Sequence, residues 1–572
     1  MSSSPSTPSS TPRTGAADLL LGLKSSGIDY LFANAGTDFP PIIEAFASLP
    51  ADQVPTPVVV PHETASVAMA HGYYLVTGRP QATMVHVNVG LANSVMGVIN
   101  AASDNIPVLV LSGRTPLTEH GRTGSRATPI QYGQEMYNQS SLVADQVKFN
   151  YEMRYPEQGG MLAARAVSLA MSEPRGPAYI SLPREPLTEI VQEGHAPAPG
   201  PVVTPAPSGA DASAVALAAE WLSKAQHPLI LCHRTDTDGR AARELAQLAD
   251  ECGIPVVEPF TVRNVMASDH PMFLGYDVKG PLAEADVIVV LDTSVPWIEA
   301  VHRPQAGKKV IHIGPDPMFT RLPIRSYQTD LALAGDPATI LSALRSAMSV
   351  PQAEAERRKS DVAKASARRK AASAELAQAG AASPMSAEWM SRCLSDIMDE
   401  RAVVFSELGV VASCMTLRGA NRVFTTPHSG GLGWGFAAAL GAQLADRDRL
   451  CIACVGDGSY MFANPVACHQ IAEALELPVL VIVKNNGIWN AVRRSVKNSY
   501  PKGEAVRMNT MPLTSLEPAP DYTMIAQASR AYAERVEHGR DLPAALERAL
   551  KVIRTERRVA MLELRIAVSD SQ

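Results

Sequence analysis

The chain alternates short apolar runs with longer helix-like stretches, and it does so in three successive blocks. In the first, about residues 15–190, the strand-like runs are IDYLFAN, TPVVVP, ATMVHVNV, IPVLVLSG and PAYISLP, separated by stretches such as HETASVAMAHGYYLV. The second, about 211–350, carries HPLILCH, GIPVVEP, ADVIVVLDT and KKVIHIG; the third, 383–572, carries AVVFSEL, LCIACVG, LPVLVIV and VAMLELR. Such alternation builds parallel sheets covered by helices on both faces. The expected fold class is therefore α/β, with three successive parallel-sheet α/β domains. At 572 residues the chain is too long for one core.

The stretches between the blocks have a different composition. Residues 191–210 (VQEGHAPAPGPVVTPAPSGA) are rich in Pro, Gly and Ala and read as a linker. Residues 351–382 are rich in Ala, Lys, Arg and Glu and contain no strand-like run. They read as a solvated helical connector, because their charges are of mixed sign. Residues 1–14 lack an apolar segment and read as a disordered tail rather than a signal peptide.

A net charge of −6 gives no reason to expect nucleic acid or an anionic membrane as partner. No window approaches the 18 or so apolar residues of a membrane span. Seven cysteines without framework spacing fit a reducing cytoplasm. Cys451 and Cys454 form a C-x-x-C, but inside an apolar strand and without a second pair, so they read as buried strand thiols.

The densest chemistry lies in the third block. LCIACV ends in Gly-Asp-Gly-Ser, and LPVLVIV ends in Lys-Asn-Asn-Gly. In open α/β sheets ligands bind beyond the carboxyl ends of strands, so Asp457 and the Asn485–Asn486 pair can converge on one rim. Flanking glycines let a ligand approach the backbone closely, and backbone N–H groups at a helix start suit a phosphate. One carboxylate plus an amide oxygen is hard-oxygen chemistry, sufficient for a magnesium ion that keeps waters and phosphate oxygens in its shell. The pattern reads as a site for magnesium and a diphosphate.

GDGS followed by NN at this spacing resembles the motif of thiamine diphosphate-dependent enzymes. The resemblance covers nearly the whole chain, in the order pyrimidine-binding, middle and diphosphate-binding domains. It implies that Asp457, the Asn486 side chain and the Ile488 carbonyl hold magnesium, and that Gly458 and Ser459 help hold the diphosphate. PHSGGLGWGF is similar to the segment that grips the aminopyrimidine. There Leu432 would wedge beneath the bent cofactor, and the Gly430 backbone would meet the amino group. Glu63, in VVVPHETASVAMAHGYY, resembles the family's activating glutamate. It is a poor core residue by itself, since an unpaired buried charge is expensive. In the family this glutamate and the magnesium site come from different subunits. That implies a homodimer or homotetramer with active sites between subunits.

Two branches of the family compete. LFANAGTDF resembles the benzoylformate decarboxylase loop that offers a hydroxyl to the substrate carboxylate, with Thr37 in that place. VHVNVGLANSVMGVINAASDNIP places His86 on that enzyme's catalytic histidine, and imidazole titrates near neutrality. Its second histidine is not matched: LDTSVPWIEAVHRP puts Glu299 near the position and His302 three residues on. YGQEMYNQ resembles acetohydroxyacid synthase, with Gln134 on the glutamine that faces the cofactor. The synthase's flavin-binding segments are not evident, so no FAD is expected. Past the second asparagine, Trp489, Arg493 and Arg494 are candidates to line the substrate pocket.

The resemblance implies an enzyme acting on 2-oxo acids. An ylid attacks the keto carbon, carbon dioxide leaves, and the enamine is protonated to an aldehyde or captured by a second carbonyl compound. Decarboxylation, with carboligation beside it, is the favoured reading. An acetolactate-synthase-like transferase is the alternative.

Overall fold

A computed structural model describes residues 13–192, 194, 202–508 and 511–569. The chain divides into two compact units. The first holds the described residues up to Tyr74 and Arg79–Pro205, the second Leu75–Gly78 and everything from Ala206 on. Most of the expected tail, and linker residues 193 and 195–201, lie outside the described residues.

The first unit holds one sheet of β1 (Tyr30–Asn34), β2 (Thr56–Val59), β3 (Gln81–Val85), β4 (Val108–Gly113), β5 (Phe149–Glu152) and β6 (Ala178–Leu182), ordered β2-β1-β3-β4-β6-β5. All its pairings are parallel. Central β3, β4 and β6 are buried along their whole length, which is why they read as unbroken apolar runs. Helix α1 (Glu63–Thr77) follows β2, and helix α2 (Val87–Ser103) follows β3.

The second unit holds two further six-stranded parallel sheets. One contains β7 (Pro228–Cys232), β8 (Val256–Val257), β9 (Phe273–Gly275), β10 (Val287–Leu291), β11 (Lys309–Gly314) and β12 (Leu331–Ala334), ordered β12-β11-β10-β7-β8-β9. It carries an apolar core on each face, one built around Ile230, Val289 and Ile311, the other around Leu229, Leu231 and Trp297.

Helix α3 (Gln352–Ala379) follows. Its composition predicts a solvated helix, and in part it is not one. Ala355, Val362 and Ser366 are buried, and Arg358, 4% exposed, donates to the carbonyls of Cys252 and Ala225. A long Arg can bury its stem while its guanidinium satisfies carbonyls, which a charge count along the helix does not reveal.

The last sheet contains β13 (Val403–Glu407), β14 (Val423–Thr425), β15 (Cys451–Gly456), β16 (Leu480–Asn485), β17 (Tyr532–Val536) and β18 (Ala560–Arg565), ordered β14-β13-β15-β16-β18-β17. Helices α4 (Gly435–Ala445), α5 (Asp457–Phe462) and α6 (Asn490–Ser499) follow β14, β15 and β16. Asn264 ties the two sheets of this unit together: its side-chain oxygen accepts the N–H groups of Arg422 and Val423. Among the described residues no helix is long and apolar enough to cross a membrane.

Candidate active site

In the first unit the predicted acid–base residues meet at the carboxyl ends of β1, β2 and β3, where such a sheet offers its ligand crevice. Glu63 opens α1 and is 7% exposed. Its Oε1 accepts from Asn34 Nδ2 at 3.0 Å, and its Oε2 from Asn93 Nδ2 at 3.1 Å. Gly90 leaves room for it: a Cβ there would lie 3.2 Å from Glu63 Oε1. Two neutral amide donors thus hold a buried carboxylate.

His86 stands where the run VHVNV changes from strand to helix, capping α2. Its Nδ1 lies 2.5 Å from Oδ1 of Asp38, which is 3% exposed and whose Oδ2 also accepts from Val87 N. His86 Nε2 lies 3.0 Å from Gln134 Nε2. Asp38 can only accept when ionised, so His86 Nδ1 carries a proton. A neutral ring then offers Nε2 to the Gln134 amide N–H, while a charged ring would take the amide oxygen instead. The Asp38 hydrogen bond raises the His86 pKa above the ordinary imidazole value, against burial. Two glycines make this packing feasible. A Cβ on Gly36 would fall 2.1 Å from His86 Nδ1, and one on Gly113 would strike the Asp38 carboxylate.

Gln134 is 8% exposed and belongs to the cluster. Thr37, beside Asp38, is exposed. Asp38, Asn34 and Asn93 were not singled out in the sequence. Their one local signal was a polar residue just past an apolar strand or within the first turns of the next helix.

In the second unit Asp457 begins α5 directly after β15 and is 3% exposed. Its Oδ1 accepts from Gly458 N at 2.8 Å, and its Oδ2 from Asn486 N at 3.1 Å and Gly487 N at 2.8 Å. Burial raises its pKa, and these three amides pull the other way. A carboxylate offers about four lone-pair sites; three are taken, which leaves Oδ1 able to accept once more. Asn486 Oδ1 accepts from Ile488 N at 3.1 Å, closing a tight turn. Asn485 bridges turn and sheet: its Oδ1 accepts from Gly487 N and its Nδ2 donates to Glu563.

Asp457, Gly458, Ser459, Asn486 and Ile488 all line one cavity of about 400 Å³. Gly430 (φ +70) and Leu432 are in the segment between β14 and α4 and do not wall it. That segment is anchored by Glu407, the fully buried last residue of β13, which accepts from Gly433 N at 2.6 Å and Gly435 N at 2.7 Å. Burial pushes its pKa up to about 7.

The oxygen donors available here suit a hard cation. Among the described residues no three His, Cys, Asp or Glu side chains gather around a metal position. A cation would rely on one carboxylate plus amide and carbonyl oxygens, with the rest of its shell from water or phosphate, as magnesium does. Trp489 and Arg494 line the same cavity, and Trp489 packs so closely that a Cβ on Gly458 would lie 2.1 Å from its ring. Arg493 contacts Asn490. Glu299 accepts from Trp297 Nε1 in the loop after β10. Cys451 and Cys454 are fully buried in β15.

Three family models match in succession: the N-terminal thiamine pyrophosphate-binding domain over residues 13–170, the central domain over 215–344, and the C-terminal thiamine pyrophosphate-binding domain over 408–564. Together they span well over half of the chain, which belongs to the thiamine pyrophosphate enzyme family. It is 27% identical to a probable 2-ketoarginine decarboxylase of Pseudomonas aeruginosa over 586 residues, 98% of this chain and 96% of that one. It is also 27% identical to the benzoylformate decarboxylase of the same organism over 498 residues, 82% and 85% of the two chains. In fold it is similar to a thiamine diphosphate-dependent 4-hydroxybenzoylformate decarboxylase of Rhodococcus jostii, with a TM-score of 0.76, 22% identity, and 98% and 100% coverage.

Proposed function

We propose that this protein is a magnesium- and thiamine diphosphate-dependent 2-oxo acid decarboxylase, active as a homodimer or homotetramer. The observation that carries the reading is the Asp38–His86–Gln134 chain beside Glu63. Thiamine diphosphate, when bound, supplies a carbon nucleophile and electron sink. Asp457, Asn486 Oδ1 and the Ile488 carbonyl would hold magnesium, with Gly458 and Ser459 toward the diphosphate. Glu63 would hydrogen-bond the pyrimidine ring, the Gly430 backbone its amino group, and Leu432 would lie beneath.

His86 is the residue for moving a proton. Asp38 fixes its tautomer and its hydrogen bond raises the His86 pKa, favouring the protonated ring. Thr37, exposed beside Asp38, would meet a substrate carboxylate. Gln134 supports a second reading, transfer to a carbonyl acceptor as in acetolactate synthases. An uncharged amide at His86 can hold a hydroxyl group without offering it a proton readily.

The test is to supply the protein with both cofactors and pyruvate, benzoylformate or 2-ketoarginine in turn, following carbon dioxide and products. An aldehyde from one of them supports the decarboxylase, and acetolactate from pyruvate supports the transferase. Cofactor binding without carbon dioxide release from any of them overturns the substrate class.

A further inference from the structure

Lys484 breaks the composition of its strand. Leu480, Val481, Ile482 and Val483 precede it in β16 and are fully buried, and Asn485 follows. A lysine at the end of such a strand needs compensation for its charge. Its Nζ reaches across the sheet and donates to the carbonyl of Gly409, just past β13, at 3.0 Å. An ammonium has three donors and no acceptor. Among the described residues, no carboxylate lies within ion-pair distance of it and no second acceptor takes its remaining protons.

Lys484 also lines the 400 Å³ cavity, together with Gly409, Asp457, Gly458 and Arg494. The adjoining stretch Leu408 to Val411, which also lines the cavity, is Leu-Gly-Val-Val and offers no side-chain donor. Of the hydroxyls on this cavity, Thr425 donates to Thr261 O and Ser406 Oγ accepts from Val410 N, while Ser459 Oγ is buried there as a neutral donor. Two cations line the cavity, Arg494 and Lys484, and the one anchored to the 408–411 loop is Lys484.

We propose that Lys484 binds a phosphate oxygen of the cofactor's diphosphate, supplying the charge that the 408–411 loop does not. This rests on the thiamine diphosphate reading above. The competing source of an anion is the substrate carboxylate, and the experiment separates the two.

The full-length protein, stripped of cofactor, is titrated calorimetrically with thiamine diphosphate plus magnesium, with inorganic pyrophosphate plus magnesium, and with unphosphorylated thiamine. Wild type, Lys484→Met and Lys484→Arg are compared. A lost charge-assisted hydrogen bond weakens both diphosphate ligands about 10- to 100-fold in Lys484→Met. Lys484→Arg recovers most of that, and thiamine binding is unchanged. The melting temperature of stripped Lys484→Met does not fall, because the ammonium is poorly compensated without its ligand. Equal diphosphate affinities in wild type and Lys484→Met overturn the proposal. So does a lowered melting temperature of the stripped protein with no selective loss of diphosphate binding, which marks a structural lysine. A raised KM for the 2-oxo acid at unchanged cofactor affinity moves the role to the substrate and also overturns it. Failure of wild type to bind thiamine diphosphate defeats the cofactor reading itself, and shows before any variant is tested.

Discussion

The first and last sheets share a strand order: each places its second strand at one edge and its fifth at the other. Their carboxyl ends nonetheless carry different chemistry. In the first sheet side chains bond to side chains: Asn34 and Asn93 to Glu63, Asp38 to His86, His86 to Gln134. In the last sheet the carboxylates that end β13 and follow β15 bond to backbone: Asp457 to three amides, Glu407 to Gly433 and Gly435. A carboxylate clamped by backbone N–H groups fixes loop shape and keeps a spare lone pair for a cation. A histidine between a carboxylate and an amide is free to change protonation. One topology thus supplies two rims, and residue type decides that one holds and the other moves protons.

The sharpest way to break that division is to remove one carboxylate from each rim. Asp457→Ala is expected to abolish thiamine diphosphate and magnesium binding, beyond the about 10- to 100-fold that outer-shell partners of metals cost. Glu63→Gln is expected to keep cofactor affinity within about tenfold while turnover falls about 10²- to 10⁴-fold. Calorimetry and turnover on the same preparations decide it. If Glu63→Gln loses the cofactor as completely as Asp457→Ala, the rims do not differ in kind.

Next in size is the His86 chain. His86→Ala should cost turnover about 10²-fold, and Asp38→Asn less. The more telling readout is pH. Asp38 raises the His86 pKa, so the limb of the kcat/KM profile set by His86 should move to lower pH in Asp38→Asn. For stability the sign is also fixed. A raised folded-state pKa contributes stability that is complete below the unfolded imidazole value of about 6.5 and is lost as pH rises through the folded one. The melting gap between wild type and Asp38→Asn should therefore be widest below about pH 6.5 and shrink at alkaline pH. A constant gap with an unmoved limb would leave Asp38 a packing residue.

A smaller effect comes from glycines that admit a ring. Gly458→Ala meets Trp489 and Gly36→Ala meets His86, each at 2.1 Å. Overpacking of this kind costs about 1–3 kcal/mol. Gly458→Ala should weaken cofactor binding and shift tryptophan fluorescence, whereas Gly36→Ala should lower turnover with the cofactor still bound. Identical phenotypes from both would blur the comparison.

What the sequence made legible follows from burial. Central strands such as β4, β10 and β16 are enclosed on both faces and stand out as apolar runs. Short strands β5, β9, β12, β14 and β17 were not anticipated. Each lies at a sheet edge, and several are half exposed, with mixed composition. At the candidate site, Asp457, Asn486 and Glu63 were legible because they sit in recognisable local patterns. Asp38 was not: its meaning lies in a contact with His86, 48 positions away. Lys484 and Glu407 were hidden in the same way, as polar ends of otherwise apolar strands.

Glu407 offers the finest test, because Asn34 ends the first strand of its own sheet just as Glu407 does. Asn34 donates to a side chain, while Glu407 accepts from two backbone amides. Burial lifts the Glu407 pKa from its ordinary 4.5 to about 7. Its stability contribution is therefore complete below about 4.5 and is lost as pH rises through about 7. Glu407→Gln cannot ionise, and it turns an N–H toward one of the two amides, which costs about 1–3 kcal/mol when a buried donor goes unmet. Denaturant unfolding should find the variant weaker at pH 5 and the gap narrower at pH 8. A gap that widens at pH 8 would mean the Gly433 and Gly435 amides outweigh burial, so that the charged carboxylate itself clamps the loop. Cofactor affinity should fall less than in Asp457→Ala, since Glu407 acts only through the segment that it holds at Gly433 and Gly435; an equal loss would place it with Asp457 among the groups that hold the ligand.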